Sequence, residues 1–147
     1  MHDVILTMTQ GAQKGREVRI ALGHQLVIGR AYSPSGTHVV PHELRRALNE
    51  EDQRFVEEHL RSRAVNTRPG ARSEVAAFER DEDLEVADEA VSQTHAILFV
   101  DEAGVSLLDV MSTNGTFING GRCRDSALTS GDLIRVGETR LEVAFVK

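Results

Sequence analysis

Ser112-Thr113-Asn114-Gly115-Thr116-Phe117-Ile118-Asn119-Gly120 sets two turn signals around a three-residue strand. Asparagine and glycine tolerate positive φ, so Thr113-Asn114-Gly115 reads as one tight turn and Asn119-Gly120 as a second. Thr116-Phe117-Ile118, β-branched and aromatic, is the strand between them. The same alternation of short apolar runs and turn residues extends outward in both directions. Upstream lie residues 84–86, the continuous apolar run Ala96-Ile97-Leu98-Phe99-Val100, and residues 105–110 beyond the turn at Asp101-Glu102-Ala103-Gly104. Downstream, Gly131-Asp132 leads into residues 133–136 and 141–146. Near the N-terminus, residues 4–8 and 17–20 flank a turn at 11–15, and Leu26-Val27-Ile28 ends at Gly29-Arg30. Many short strands broken by Gly and Asn predict an all-β fold, a sandwich of two sheets with antiparallel and mixed pairing.

Residues 31–81 differ in character. Ser33-Pro34-Ser35-Gly36 opens the segment as a loop. Pro41 suits the first turn of a helix running through Leu44, Ala47 and Leu48, because a first-turn residue needs no amide donor. Asn49 reads as the cap of a second helix, whose first turn, Glu50-Glu51-Asp52, places negative charge at the positive end of the helix dipole. Phe55, Val56, His59 and Leu60 give that helix an apolar stripe, and Asn66-Thr67-Arg68-Pro69-Gly70 stops it. So few apolar residues do not offset the entropy of ordering a free-standing domain. The expectation is one domain over 1–147, with a core of 1–30 and 82–147 and a helical insertion at 31–81 that docks onto the sandwich or is partly mobile.

Composition bounds the function. With 147 residues, 40% hydrophobic and 27% charged, the chain fits one globular domain. No apolar stretch approaches bilayer length, and Met1-His2-Asp3 supplies no basic leader, so a soluble cytoplasmic protein without membrane partners is expected. A formal net charge of −6 disfavours nucleic acid as a partner. Cys123 is the single cysteine, which rules out an intrachain disulfide, and it reads as a small, partly buried apolar residue. Lys14 and Lys147 are the only lysines against many arginines, a compositional pointer to a bacterial source.

Taken jointly, Gly29-Arg30, residues 83–88, Val91-Ser92-Gln93-Thr94-His95, residues 112–120 and Gly131-Asp132 resemble, in order and spacing, the forkhead-associated (FHA) domain family of phosphothreonine-peptide readers. The resemblance spans about 1–30 and 82–147, and its main departure is the long segment after Arg30. It implies a phosphopeptide site made of Arg30, Ser92, Gln93, Thr113 and Asn114, structured by Gly29, His95, Gly115 and Asn119. The chemistry is suitable. Phosphothreonine carries about −1.5 to −2 charges and three acceptor oxygens, which a planar guanidinium matches. Ser92 offers a hydroxyl donor, and Gln93 a donor without charge. On the family's pattern Thr113 reaches phosphate, the Asn114 amide bonds the ligand backbone, and His95 braces the loop carrying Ser92.

The function implied is a non-catalytic phosphothreonine-binding module in Ser/Thr-kinase signalling, with a phosphorylated protein as partner and a kinase upstream. The alternative is a structural module that binds an unphosphorylated partner through the helical segment, its phosphate site covered or idle. That segment widens the recognition surface, covers the site, or packs aside. Phosphorylated Thr37 or Thr67 offers a route to self-association. No cofactor or metal is expected. His38 and His42 have helical ligand spacing, but Pro41 interrupts the helix and no third ligand stands out. A hydrolase triad at His95 lacks a Gly-x-Ser-x-Gly elbow, and no Gly-Lys-Ser/Thr loop is present for a nucleotide.

Overall fold

The computed structural model describes residues 3–30, 50–66 and 70–146. The first expected helix, the Asn49 cap, His38, His42, Thr37 and Thr67 lie outside the described residues. Two sheets of strands stack face to face. The first has the order β2-β1-β12-β11-β8-β9 and is antiparallel throughout. Its strands are β1 (Asp3–Gln10), β2 (Glu17–Ile20), β8 (Thr116–Ile118), β9 (Gly121–Cys123), β11 (Leu133–Val136) and β12 (Thr139–Val146). The second has the order β10-β7-β6-β3-β4, from β3 (His24–Arg30), β4 (Glu79–Arg80), β6 (Ala96–Asp101), β7 (Gly104–Asp109) and β10 (Asp125–Leu128). A further strand, β5 (Leu84–Val86), pairs with β3 beyond β4, and both β4 and β5 run parallel to β3. The expected all-β sandwich is the fold.

Period-2 alternation distributes the side chains. Val4, Leu6 and Met8 of β1 point inward and meet Leu141 and Val143 of β12, while the intervening residues are only partly covered. The second sheet behaves otherwise. All six residues of β6 are buried, because both faces of the strand are packed. Ala96, Leu98 and Val100 face the first sheet in the main core, together with Leu26, Ile28 and Leu107. Ile97, Phe99, Val27, Leu108 and Val110 face the other way into a second core.

That second core is closed by helix α1 (Glu50–Asn66), whose Val56 and Leu60 are fully buried in it. Phe78, just after a 3₁₀ turn at Val75–Ala77, meets Phe99 edge to face at 5.0 Å. A strand that is apolar at every position requires cover on both faces, and the helix supplies it. Parallel pairing also requires a long crossover. The chain between β3 and β4 is that crossover, and α1 lies within it. The helix ends at Asn66, where the Asn-Thr-Arg-Pro-Gly signal begins.

Three strands escaped the sequence reading. β4 opens the acidic run 79–83 and lies across the end of the segment assigned to the insertion. β9 and β10 follow the Asn119-Gly120 turn, with little apolar alternation to mark them. Cys123 is buried in the main core, where burial pushes its thiol pKa up.

The helix is therefore expected to be integral to stability. Leu60→Ala should cost about 2–5 kcal/mol in urea denaturation, whereas Glu57→Ala on the exposed face should change stability by less than about 0.5 kcal/mol. Equal midpoints for the two variants would show that the helix contributes nothing to the folded domain.

Candidate functional site

Three chain segments meet at one edge of the sandwich: the end of β3, the β5–β6 connection (87–95) and the β7–β8 connection (110–115). Backbone bonds set their spacing. The Arg30 amide donates to Ser92 O at 2.9 Å, the His95 amide to Ile28 O at 2.9 Å, and the Val110 amide to His95 O at 2.9 Å. Arg30 is thus fixed beside Ser92, although 62 positions separate them in the chain.

His95 joins the two connections. Its side chain is fully buried, and both ring nitrogens face main chain. The Ser92 amide donates to Nδ1 at 3.0 Å, which leaves Nε2 as the protonated nitrogen, donating to Gly115 O at 2.9 Å. With both nitrogens so engaged, the ring has no free base to offer the Ser92 hydroxyl. Burial holds the imidazole pKa below its ordinary value, so the neutral tautomer is the one that belongs to this geometry.

Two further bonds close the edge. The Thr113 amide donates to Ser92 Oγ at 3.1 Å, and Asn114 Nδ2 donates to Ala90 O at 2.8 Å. Because Ser92 Oγ already accepts a bond, its own hydrogen is available to donate outward. Thr113, Asn114 and Gln93 are exposed, and Arg30 and Ser92 are partly so. The edge therefore carries the hydroxyls of Ser92 and Thr113 and the carboxamides of Gln93 and Asn114, with Arg30 beside them at the end of β3. Gly29 is buried within β3 opposite Glu85. Asn119 stands at the far end of β8, with φ 51° in the β8–β9 turn. Among the described residues its side chain bonds the entry to β11: Nδ2 donates to Asp132 at 3.0 Å, and Oδ1 accepts from the Leu133 amide at 3.0 Å.

Two aspartates that sequence reasoning left without a structural role organise the loops. Asp109, at the end of β7, accepts from the Ser112 amide, the Ser112 hydroxyl and Thr116 Oγ1. Ser112 Oγ in turn accepts from the Gly115 amide at 3.0 Å, which completes the turn that carries Thr113 and Asn114. Asp-x-x-Ser spacing was the available signal, since short polar side chains bond backbone a few residues away. Asp88 ties the β5–β6 connection to the β11–β12 turn, accepting from the Ala90 and Glu138 amides and from Thr139 Oγ1. Its carboxylate lies 2.7 Å from where a Cβ on Gly137 would stand, at φ 59°, so only glycine fits. No local pattern marks that contact. Among the described residues, no three His, Cys, Asp or Glu side chains gather as metal ligands, and no helix is long and apolar enough to cross a membrane.

Comparison with known proteins agrees with the fold. A family model described as FHA domain matches residues 72–137. The ABC transporter ATP-binding/permease protein Rv1747 of Mycobacterium tuberculosis is 34% identical over 64 residues, 44% of this chain and 7% of that much longer relative. Among solved structures, the FHA domain of an Arabidopsis thaliana hypothetical protein superposes with a TM-score of 0.62 at 18% identity, over 100% of this chain and 88% of that one. Mycobacterium tuberculosis EmbR, solved in complex with a low affinity phosphopeptide, gives 0.58 at 16% identity, over 99% of this chain and 25% of that one.

The His95 bridge predicts a pH dependence. Because its pKa is lowered by folding, the unfolded chain binds more protons between the folded value and about 6.5, and stability rises with pH across that window. The contribution is complete above about pH 6.5 and declines as the solution is acidified towards the folded pKa. His95→Gln should cost about 1–3 kcal/mol at neutral pH and flatten this slope in urea titrations. An unchanged slope would remove His95 as its source.

Proposed function

From the premise that this chain carries an FHA domain, we propose that it binds phosphothreonine peptides through Arg30, Ser92, Gln93, Thr113 and Asn114, and that it acts downstream of a Ser/Thr kinase. One observation carries the reading: Arg30, Ser92 and the Thr113-Asn114 turn, far apart in sequence, are tied to one another by main-chain and side-chain bonds at a single edge. Arg30 supplies the charge and the planar fork for the phosphate. Ser92 and Thr113 supply hydroxyl donors, and charge-assisted bonds of this kind contribute about 1.5–3 kcal/mol each. The Asn114 amide, already bonded to Ala90 O through Nδ2, is held where it can bond the backbone of an extended peptide. Gly29, His95 and Gly115 act by shaping these loops, and Asn119 by holding the β8–β9 turn to the start of β11.

The competing reading gives the binding role to the helix and leaves the phosphate site idle. The buried Val56 and Leu60 weigh against it, since they spend the apolar stripe of α1 on the second sheet. A helix whose apolar face is already covered offers a partner mainly its charged side.

Affinity is expected in the micromolar range, about −8 kcal/mol, and should weaken below about pH 6 as the phosphate gains a proton. Arg30→Ala should lower affinity at least about tenfold, a loss of about 1.4 kcal/mol or more, with a small effect on the urea midpoint. Calorimetry with paired phosphorylated and unphosphorylated threonine peptides tests this. Equal affinity for the two peptides, or for parent and variant, would sink the assignment.

A further inference from the structure

A row of arginines starts at the recognition turn and crosses the outer face of the first sheet. Arg122 of β9 lies opposite Phe117 of β8, Phe117 opposite Arg135 of β11, and Arg135 opposite Arg140 of β12. The inward neighbours Cys123, Thr116, Ile134, Val136 and Leu141 are buried, so the row occupies the solvent face. Arg122 and Arg140 are exposed. Arg135 lies over the Phe117 ring, 4.1 Å from its centroid, and donates to Gly137 O at 3.0 Å.

The first member of the row touches the turn that carries Asn114. A Cβ built on Gly115 would stand 3.2 Å from Arg122 Nε and 3.4 Å from its Cζ. Gly115 has φ 85°, and its missing side chain is the space the guanidinium uses. Among the described residues, no salt bridge joins Arg122, Arg135 or Arg140 to a carboxylate. Glu142, two positions after Arg140 on β12, shares this outer face with Glu17 of β2 and with Asp3 of β1, which is already bonded to Arg19, while Glu138 lies in the turn before β12. Like charges directly opposite one another across a sheet are destabilising, yet Arg135 and Arg140 face each other in a chain whose formal net charge is −6.

We infer that this row receives the acidic flank of a phosphothreonine ligand, with Arg122 as the residue that selects it; the inference rests on the phosphopeptide reading above. Reach is sufficient. An extended peptide advances about 3.3 Å per residue, so a carboxylate one to three residues from the phosphothreonine spans the distance from the Asn114 turn to the Arg122 guanidinium. Phe117 and Arg135 continue the track along the sheet. Exposed ion pairs are modest individually and screened by salt, so the row adjusts which phosphothreonine is preferred, whereas Arg30 governs whether one is bound.

The experiment compares two phosphothreonine peptides, one with Asp or Glu at the flanking positions and one with Ala there, by fluorescence anisotropy. The parent protein should prefer the acidic peptide by about fivefold at low salt. That ratio should fall towards one in Arg122→Gln and, independently of any variant, at about 0.5 M salt. Arg30→Ala should lose both peptides. A parent that binds both peptides equally, or an Arg122→Gln variant of unchanged melting temperature that keeps the preference, overturns the inference and leaves the phosphopeptide reading standing. A parent that binds neither peptide removes the reading and the inference together.

Discussion

One neutral imidazole holds the recognition edge together. His95 accepts a proton bond from the loop of Ser92 and gives one to the loop of Asn114, so a single side chain fixes the separation of two segments that share no regular strand pairing there. This arrangement demands a particular protonation state. A charged ring would turn both nitrogens into donors and leave the Ser92 amide facing a hydrogen. Burial favours the state the geometry needs, and the same burial removes the water that would otherwise compete for the two bonds. Asp109 and Asp88 complete the frame by accepting from the amides of the turns on either side. Each exposed polar group at the edge is thus backed by a bonded main chain, which reduces the ordering entropy that remains to be lost when a ligand arrives.

The helix is part of the same construction. β3 delivers Arg30 to the edge and also lies under α1 on one face and the main core on the other. A mobile helix would loosen β3 and β6 together, and with them the positions of Arg30 and His95. The two-sided burial therefore stiffens the strands from which the site is hung.

Much of the fold was legible because alternation and turn chemistry are local. β1, β2 and β12 could be read as short apolar runs set off by turn residues, and the β8–β9 turn from Asn119-Gly120, whose positive φ values follow from the residue types. The continuous run at 96–100 announced a strand, but not the helix that covers its second face. β4, β9 and β10 were missed for a shared reason: Glu-Arg, Gly-Arg-Cys and Asp-Ser-Ala-Leu have weak intrinsic preference and form strands only because a neighbouring ladder offers them partners. The motif residues of the site stood out through their resemblance to a family. Asp88 and Asp109 did not, since their roles depend on which loops meet in space; Asp88 reaches Thr139 across 51 positions.

The pairing of Asp3 with Val146 has a consequence for synthesis. β1 lies between β2 and β12, so the first sheet cannot close until almost the last described residue has left the ribosome. Until then the side chains of Val4, Leu6 and Met8 lack the apolar cover that Leu141 and Val143 of β12 bring. Such late, long-range closure makes for slow folding, and a nascent chain in this condition is a natural client for chaperones.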